Sequence, residues 1–186
     1  VSLNLVKTEL GNVPFAITLR LCDASAQSIR ALWQTLADAG LSTDMLSLGY
    51  HPHITLAICP DDTPEPPLHD AAAHVARARG TLKLSLGALG VFATQPGVVF
   101  LAPAPTPALL DLYASALEAL ADLPISAHYR RGAWMPHVTL AKDLVSPAEA
   151  IRHLEGAALP IDGHLDRVEL LQFRPVRVLA SHPLAT

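Results

Sequence analysis

Two eight-residue segments, YHPHITLA at 50–57 and WMPHVTLA at 134–141, repeat one another across the chain. Five positions are identical, Ile54 and Val138 are conservative equivalents, and an aromatic residue opens both segments. The surrounding elements repeat as well. Apolar, β-branched runs at 15–21 and 98–101 read as opening strands, and LGVF at 89–92 falls near LLQF at 170–173. Between them lie stretches with apolar residues at helical spacing, such as Ile29, Leu32, Trp33 and Leu36 within 24–40. Asp23 stands where a helix N-cap belongs, Pro107 opens another helix, and Ser146 with Glu149 has the spacing of a capping box. A strand–helix–strand–helix–strand–strand unit therefore occurs twice. The 186 residues read as a single bilobal α+β domain, with approximate halves 13–96 and 97–183 related by a pseudo-two-fold.

Strand periodicity turns the repeat into chemistry. In HITL, His53 and Thr55 share one face while Ile54 and Leu56 share the other. His137 and Thr139 stand in the same relation to Val138 and Leu140. The apolar pairs belong on the helices and the polar pairs face outward. Two facing lobes would then present two imidazoles and two hydroxyls to one cleft. One imidazole can take a proton from an attacking oxygen while the other protonates a leaving oxygen. Threonine hydroxyls can donate to non-bridging phosphoryl oxygens as charge builds there. The arrangement suits in-line displacement at phosphorus, with no metal and no cofactor required. Acyl transfer would need a nucleophile, and Cys59 lies in the wrong register.

Composition narrows the class of ligand. A net charge of −4 argues against a bulk, sequence-blind nucleic-acid binder but leaves room for a small nucleotide or an RNA end. Cys22 and Cys59 are too few for a disulfide framework and read as buried thiols of a cytoplasmic protein. No run is long and apolar enough for a membrane span, no signal peptide is read, and no obligate protein partner is evident.

Two proline-preceded His-x-Thr-hydrophobic motifs, half a domain apart, resemble those of the 2H phosphoesterase superfamily, above all its bacterial 2′-5′ RNA ligase-like or cyclic phosphodiesterase branch. The resemblance covers both motifs and the duplicated element order. It implies two antiparallel sheets forming a concave cleft with helices outside, and metal-independent hydrolysis of 2′,3′-cyclic or 2′,5′-linked phosphoesters. Carried onto this chain, it makes His53 and His137 the catalytic pair and Thr55 and Thr139 the phosphate-holding pair, with His137 favoured as base and His53 as acid. Many members carry a basic Gly-Arg turn before the strand that opens the second half. Here 93–97 reads ATQPG, which favours a small cyclic-phosphate nucleotide over long RNA.

Tyr50 and Trp134 are candidate substrate-binding aromatics at the cleft rim, and Arg130 and Arg131 are candidate phosphate-attracting residues. Tyr129 and His128 share the arginines' loop and are weaker candidates. Pro52 and Pro136 read as structural. His51-x-His53 with Asp61 or Asp62 has the form of a metal site, but Met135 stands at the equivalent place, so metal is not expected. The expected function is hydrolysis of cyclic nucleotide phosphodiesters to monoesters. The alternatives are a 2′-5′ RNA ligase or phosphodiesterase and a non-catalytic nucleotide-binding module.

Overall fold

The computed structural model describes residues 14–173 and 175–185. Its elements run β1 (Phe15–Leu21), α1 (Asp23–Asp38), α2 (Asp44–Ser47), β2 (His53–Cys59), α3 (Glu65–Ala78), β3 (Leu82–Phe92), β4 (Gly97–Pro103), α4 (Pro107–Ala119), a 3₁₀ turn (Ala127–Tyr129), β5 (Val138–Leu144), α5 (Pro147–Leu154), β6 (Ile161–Gln172) and β7 (Arg177–Pro183). The α+β class and the antiparallel pairing stand as expected. The sequence separates its last two strands at Arg174-Pro175, and Arg174 lies outside the described residues.

The strands follow the order β2-β1-β6-β3-β4-β5, with β7 also paired to β6. The two expected sheets are hydrogen-bonded into one seven-stranded sheet, because Leu82–Leu86 of β3 pairs with Ile161–Leu165 of β6. β3 and β6 are counterparts in the repeat, yet β1 pairs with β6 and β4 pairs with β3. Each half thus lends its long strand to the opening strand of the other. Neither half can complete its sheet alone.

The helices cross the halves in the same way. α1 packs on β5 and α5 as well as β6, and α4 packs on β2. Ile29 and Leu36 of α1 are fully buried, as are Ile54 and Leu56 of β2 and Leu112 of α4. The core therefore fastens the motif strand of each half to a helix of the other.

The caps differ from the sequence reading in detail. Cys22 takes the N-cap position of α1, so Asp23 becomes its first helical residue, where a carboxylate complements the helix dipole. Thr106 caps α4, its hydroxyl accepting from the Leu109 N–H at 3.2 Å. Ser146 precedes α5, but its hydroxyl caps nothing and its carbonyl takes the Glu149 N–H instead. The capping box is therefore present in sequence and not formed.

Candidate active site

Each motif strand carries a β-bulge at the same point of the repeat. On β2, Ala57 pairs with Ile17 and Thr55 with Thr18, so Leu56 is the extra residue. On β5, Ala141 pairs with Val99 and Thr139 with Phe100, so Leu140 is the extra residue. A bulge re-aims the side chains on either side of it. Leu56 and Ala57 both turn into the core, as do Leu140 and Ala141, all at 1% exposure or less. His53, Thr55, His137 and Thr139 stay partly exposed on the opposite face, where alternation places them.

Both imidazoles are oriented by the same local device. His53 Nδ1 lies 2.5 Å from the His51 carbonyl, and His137 Nδ1 lies 2.8 Å from the Met135 carbonyl. In each case the acceptor sits two residues upstream, across Pro52 or Pro136. A proline holds the residue before it extended, which sets the acceptor carbonyl at the start of the strand. With Nδ1–H donating to a carbonyl, the neutral ring carries its lone pair on Nε2.

The two rings share an electrostatic environment. The His53 imidazole is pushed down from 6.5 to about 4, chiefly by burial, opposed by its Nδ1 bond to the His51 carbonyl and helped by the charges of His137 and His51. Burial also holds His137 below the ordinary histidine value, again opposed by its backbone bond. β2 and β5 lie in contact, and the charge of His137 is among the causes that lower His53.

The surroundings of the two rings differ. His137 stands edge-on to Phe92 at 4.9 Å between ring centroids and 5.4 Å from Phe100. Phe100 lies against Gly90 of β3, where a Cβ would come within 2.5 Å of the ring. The glycine is what lets that aromatic floor form. Beside His53 the floor is polar. Arg20, its cross-strand partner on β1, donates from Nε to His51 Nε2 at 3.0 Å and from Nη2 to Asp23 Oδ1 at 2.8 Å. Its other nitrogen is 3.6 Å from the buried Glu169 carboxylate. His51 Nε2 is thereby taken up by Arg20, with the Asp23 carboxylate 3.6 Å away.

The rim candidates separate. Tyr50 lies 5.8 Å from the His53 ring, and both Tyr50 and Trp134 pack against the core. One face of Trp134 is covered by Tyr113, stacked at 4.0 Å. Arg130 and Arg131 are exposed, and Arg130 Nε donates to the Ile125 carbonyl. Tyr129 matters more than its place in the sequence suggests. Its phenol faces the Thr55 side chain, whose hydroxyl favours the phenolate, but burial outweighs this and pushes the phenol up to about 12, so it stays neutral. In the sequence Arg20 reads only as one residue of a strand. Its signal was the cross-strand pairing with His53, which requires the register. No helix among the described residues is long and apolar enough to cross a membrane.

The fold places one His-x-Thr strand from each half at either end of one sheet, in keeping with the resemblance drawn from the two motifs. Residues 23–176 match the family model described as the 2′-5′ RNA ligase superfamily, and the chain belongs to that family. Among solved structures it is similar to TT0787 of Thermus thermophilus, with a TM-score of 0.65 at 13% identity over 92% of this chain and 97% of the other. It is also similar to E. coli LigT complexed with 3′-AMP, with a TM-score of 0.62 at 16% identity over 94% of this chain and 99% of the other. At these identities the likeness concerns the fold. No curated protein sequence matches the chain.

Proposed function

We propose that the protein is a metal-independent phosphoesterase that opens 2′,3′-cyclic nucleotide phosphodiesters to monoesters, with His53 and His137 as its acid–base pair. The supporting observation is the pair of identically oriented imidazoles carried on neighbouring strands from opposite halves. Water attacks phosphorus, the base takes the water proton, the bond from phosphorus to one ribose oxygen breaks, and the acid protonates that oxygen. Thr55 and Thr139 hydroxyls hold the non-bridging oxygens, with the neutral Tyr129 phenol beside Thr55.

The environments favour His53 as base, reversing the sequence expectation. His53 is the more strongly desolvated ring and stays neutral, as a base must. His137 is the acid, and it is protonated most readily when an anionic phosphodiester enters beside it. E. coli LigT has been solved with 3′-AMP, a ligand of the size this reading assigns to the cleft.

The family description favours a second substrate for the same machinery, a 2′-5′ linkage at an RNA end. That reading needs a basic track, and it predicts RNA binding that weakens steeply with salt.

The test is turnover of 2′,3′-cyclic nucleotides in the presence of EDTA. The proposal expects activity there and a loss of at least about 10³-fold in both His53→Ala and His137→Ala, since acid and base act in one step. Wild-type activity in the His53→Ala protein, or activity abolished by EDTA, would refute it.

A further inference from the structure

β2 and β5 end the hydrogen-bonded path of the sheet, and they approach each other without pairing. The distance between the two motifs is therefore not set by a strand ladder. Two tryptophans span this seam. Trp33, on α1 of the first half, donates its indole N–H to the Thr139 carbonyl of the second at 3.0 Å. Trp134, in the second half just before β5, donates to the Thr55 carbonyl of the first at 2.9 Å. Each acceptor belongs to a motif threonine, and each donor comes from the opposite half.

The donors are not equivalent in the repeat. The offset that carries His53 onto His137 takes Trp33 to Leu117, and the same offset reversed takes Trp134 to Tyr50. Duplication alone therefore did not produce the pair. Both indoles are held rigidly. Trp33 is 3% exposed in the core, and Trp134 is stacked on Tyr113, whose hydroxyl is itself tied to the Tyr129 carbonyl at 2.9 Å. An edge-strand carbonyl needs a partner, and an indole N–H is a directional, donor-only one.

We propose that Trp33 and Trp134 are positioning residues that together fix the spacing between the strand carrying His53 and Thr55 and the strand carrying His137 and Thr139. The inference rests on the two-histidine reading for its catalytic consequence, but the spacing itself can be measured without turnover. Loss of either brace lets the seam widen, and a displacement of about 1 Å is enough to cost roughly 10²-fold in an oriented reaction.

The experiment compares wild type with Trp33→Phe and Trp134→Phe. Trp134→Phe keeps a ring against Tyr113 and loses the N–H, so it serves even if Trp33→Phe folds poorly. Two quantities are measured. One is kcat and KM on a 2′,3′-cyclic nucleoside monophosphate. The other is the pH titration of the His53 and His137 Cε1 protons by NMR, in which His53 responds to the charges of both His51 and His137. Ile29→Val, on the core face of α1, controls for general loss of stability.

The brace predicts a kcat lower by about 10- to 100-fold with KM within about threefold, and a His53 midpoint raised toward the ordinary value as His137 recedes. Ile29→Val should show neither. Unchanged midpoints and unchanged kcat in both Phe variants would overturn the proposal, and so would equal effects in Ile29→Val. If the wild-type protein turned over no cyclic nucleotide, the functional reading would fall, while the midpoints would still decide the brace.

Discussion

Acidification should unfold this protein in part through a single side chain. His53 titrates near 4 in the folded protein, against 6.5 for an ordinary histidine, chiefly because burial disfavours its cation. Above pH 6.5 the ring is neutral in both folded and unfolded chains, and its contribution to stability is complete. As pH falls from 6.5 to about 4, the unfolded chain takes up a proton that the folded state refuses, so stability declines through that window. At 1.36 kcal/mol per pKa unit, the gap amounts to about 3 kcal/mol, most of it expressed by pH 4.5. Other groups titrate over the same range, so the measurement is a difference. Urea unfolding of wild type and His53→Gln at pH 7.5 and 4.5 gives four free energies. The wild type should lose about 2 to 3 kcal/mol more than the variant between the two pH values. Equal losses in the two proteins would show that His53 is not desolvated in the folded state, and the argument for its role as a neutral base would go with it.

The pH–rate profile carries the same logic into kinetics. With His53 as base and His137 as acid, kcat/KM should rise through about 4 and fall below 6.5, giving a maximum on the acid side of neutrality. A single rising limb extending past pH 8 would contradict the pairing. Gly90→Ala should drive a methyl group into the Phe100 ring, destabilising the protein by about 1–3 kcal/mol and disturbing the aromatic floor under His137. Thermal unfolding checks the first effect, and a changed His137 titration midpoint checks the second.

Much of the molecule was legible because the repeat reports on itself. The matched octapeptides located both motif strands, and alternation placed His53 with Thr55 and His137 with Thr139. What alternation could not show was the bulge after each threonine, since Leu56-Ala57 and Leu140-Ala141 read as ordinary strand residues. Strand exchange was hidden for a related reason. The sequence orders β3 and β6 within their own halves, and only long-range pairing reveals that each serves the other half. That pairing also merges the two expected sheets into one.

The site's second layer depends on the same non-local geometry. Arg20 comes beside His53 through cross-strand register, and Tyr129 reaches Thr55 from a loop in the other half of the chain. Trp33 fits its helix as one more apolar residue, and nothing local marks its indole N–H as bound to Thr139, 106 positions away. The repeat marks Trp134, but only as a rim aromatic. Its stacking on Tyr113 and its bond to Thr55 give it a structural partner on each count.

If His53 and His137 form one catalytic pair, a single phosphate group must engage both imidazoles together. Titration of wild-type protein with inorganic phosphate, followed on the His53 and His137 Cε1 protons, asks this directly. Both resonances should move with a single dissociation constant, and both midpoints should rise as the anion binds. A response at only one ring, or two distinct dissociation constants, would mean that the histidines serve separate places.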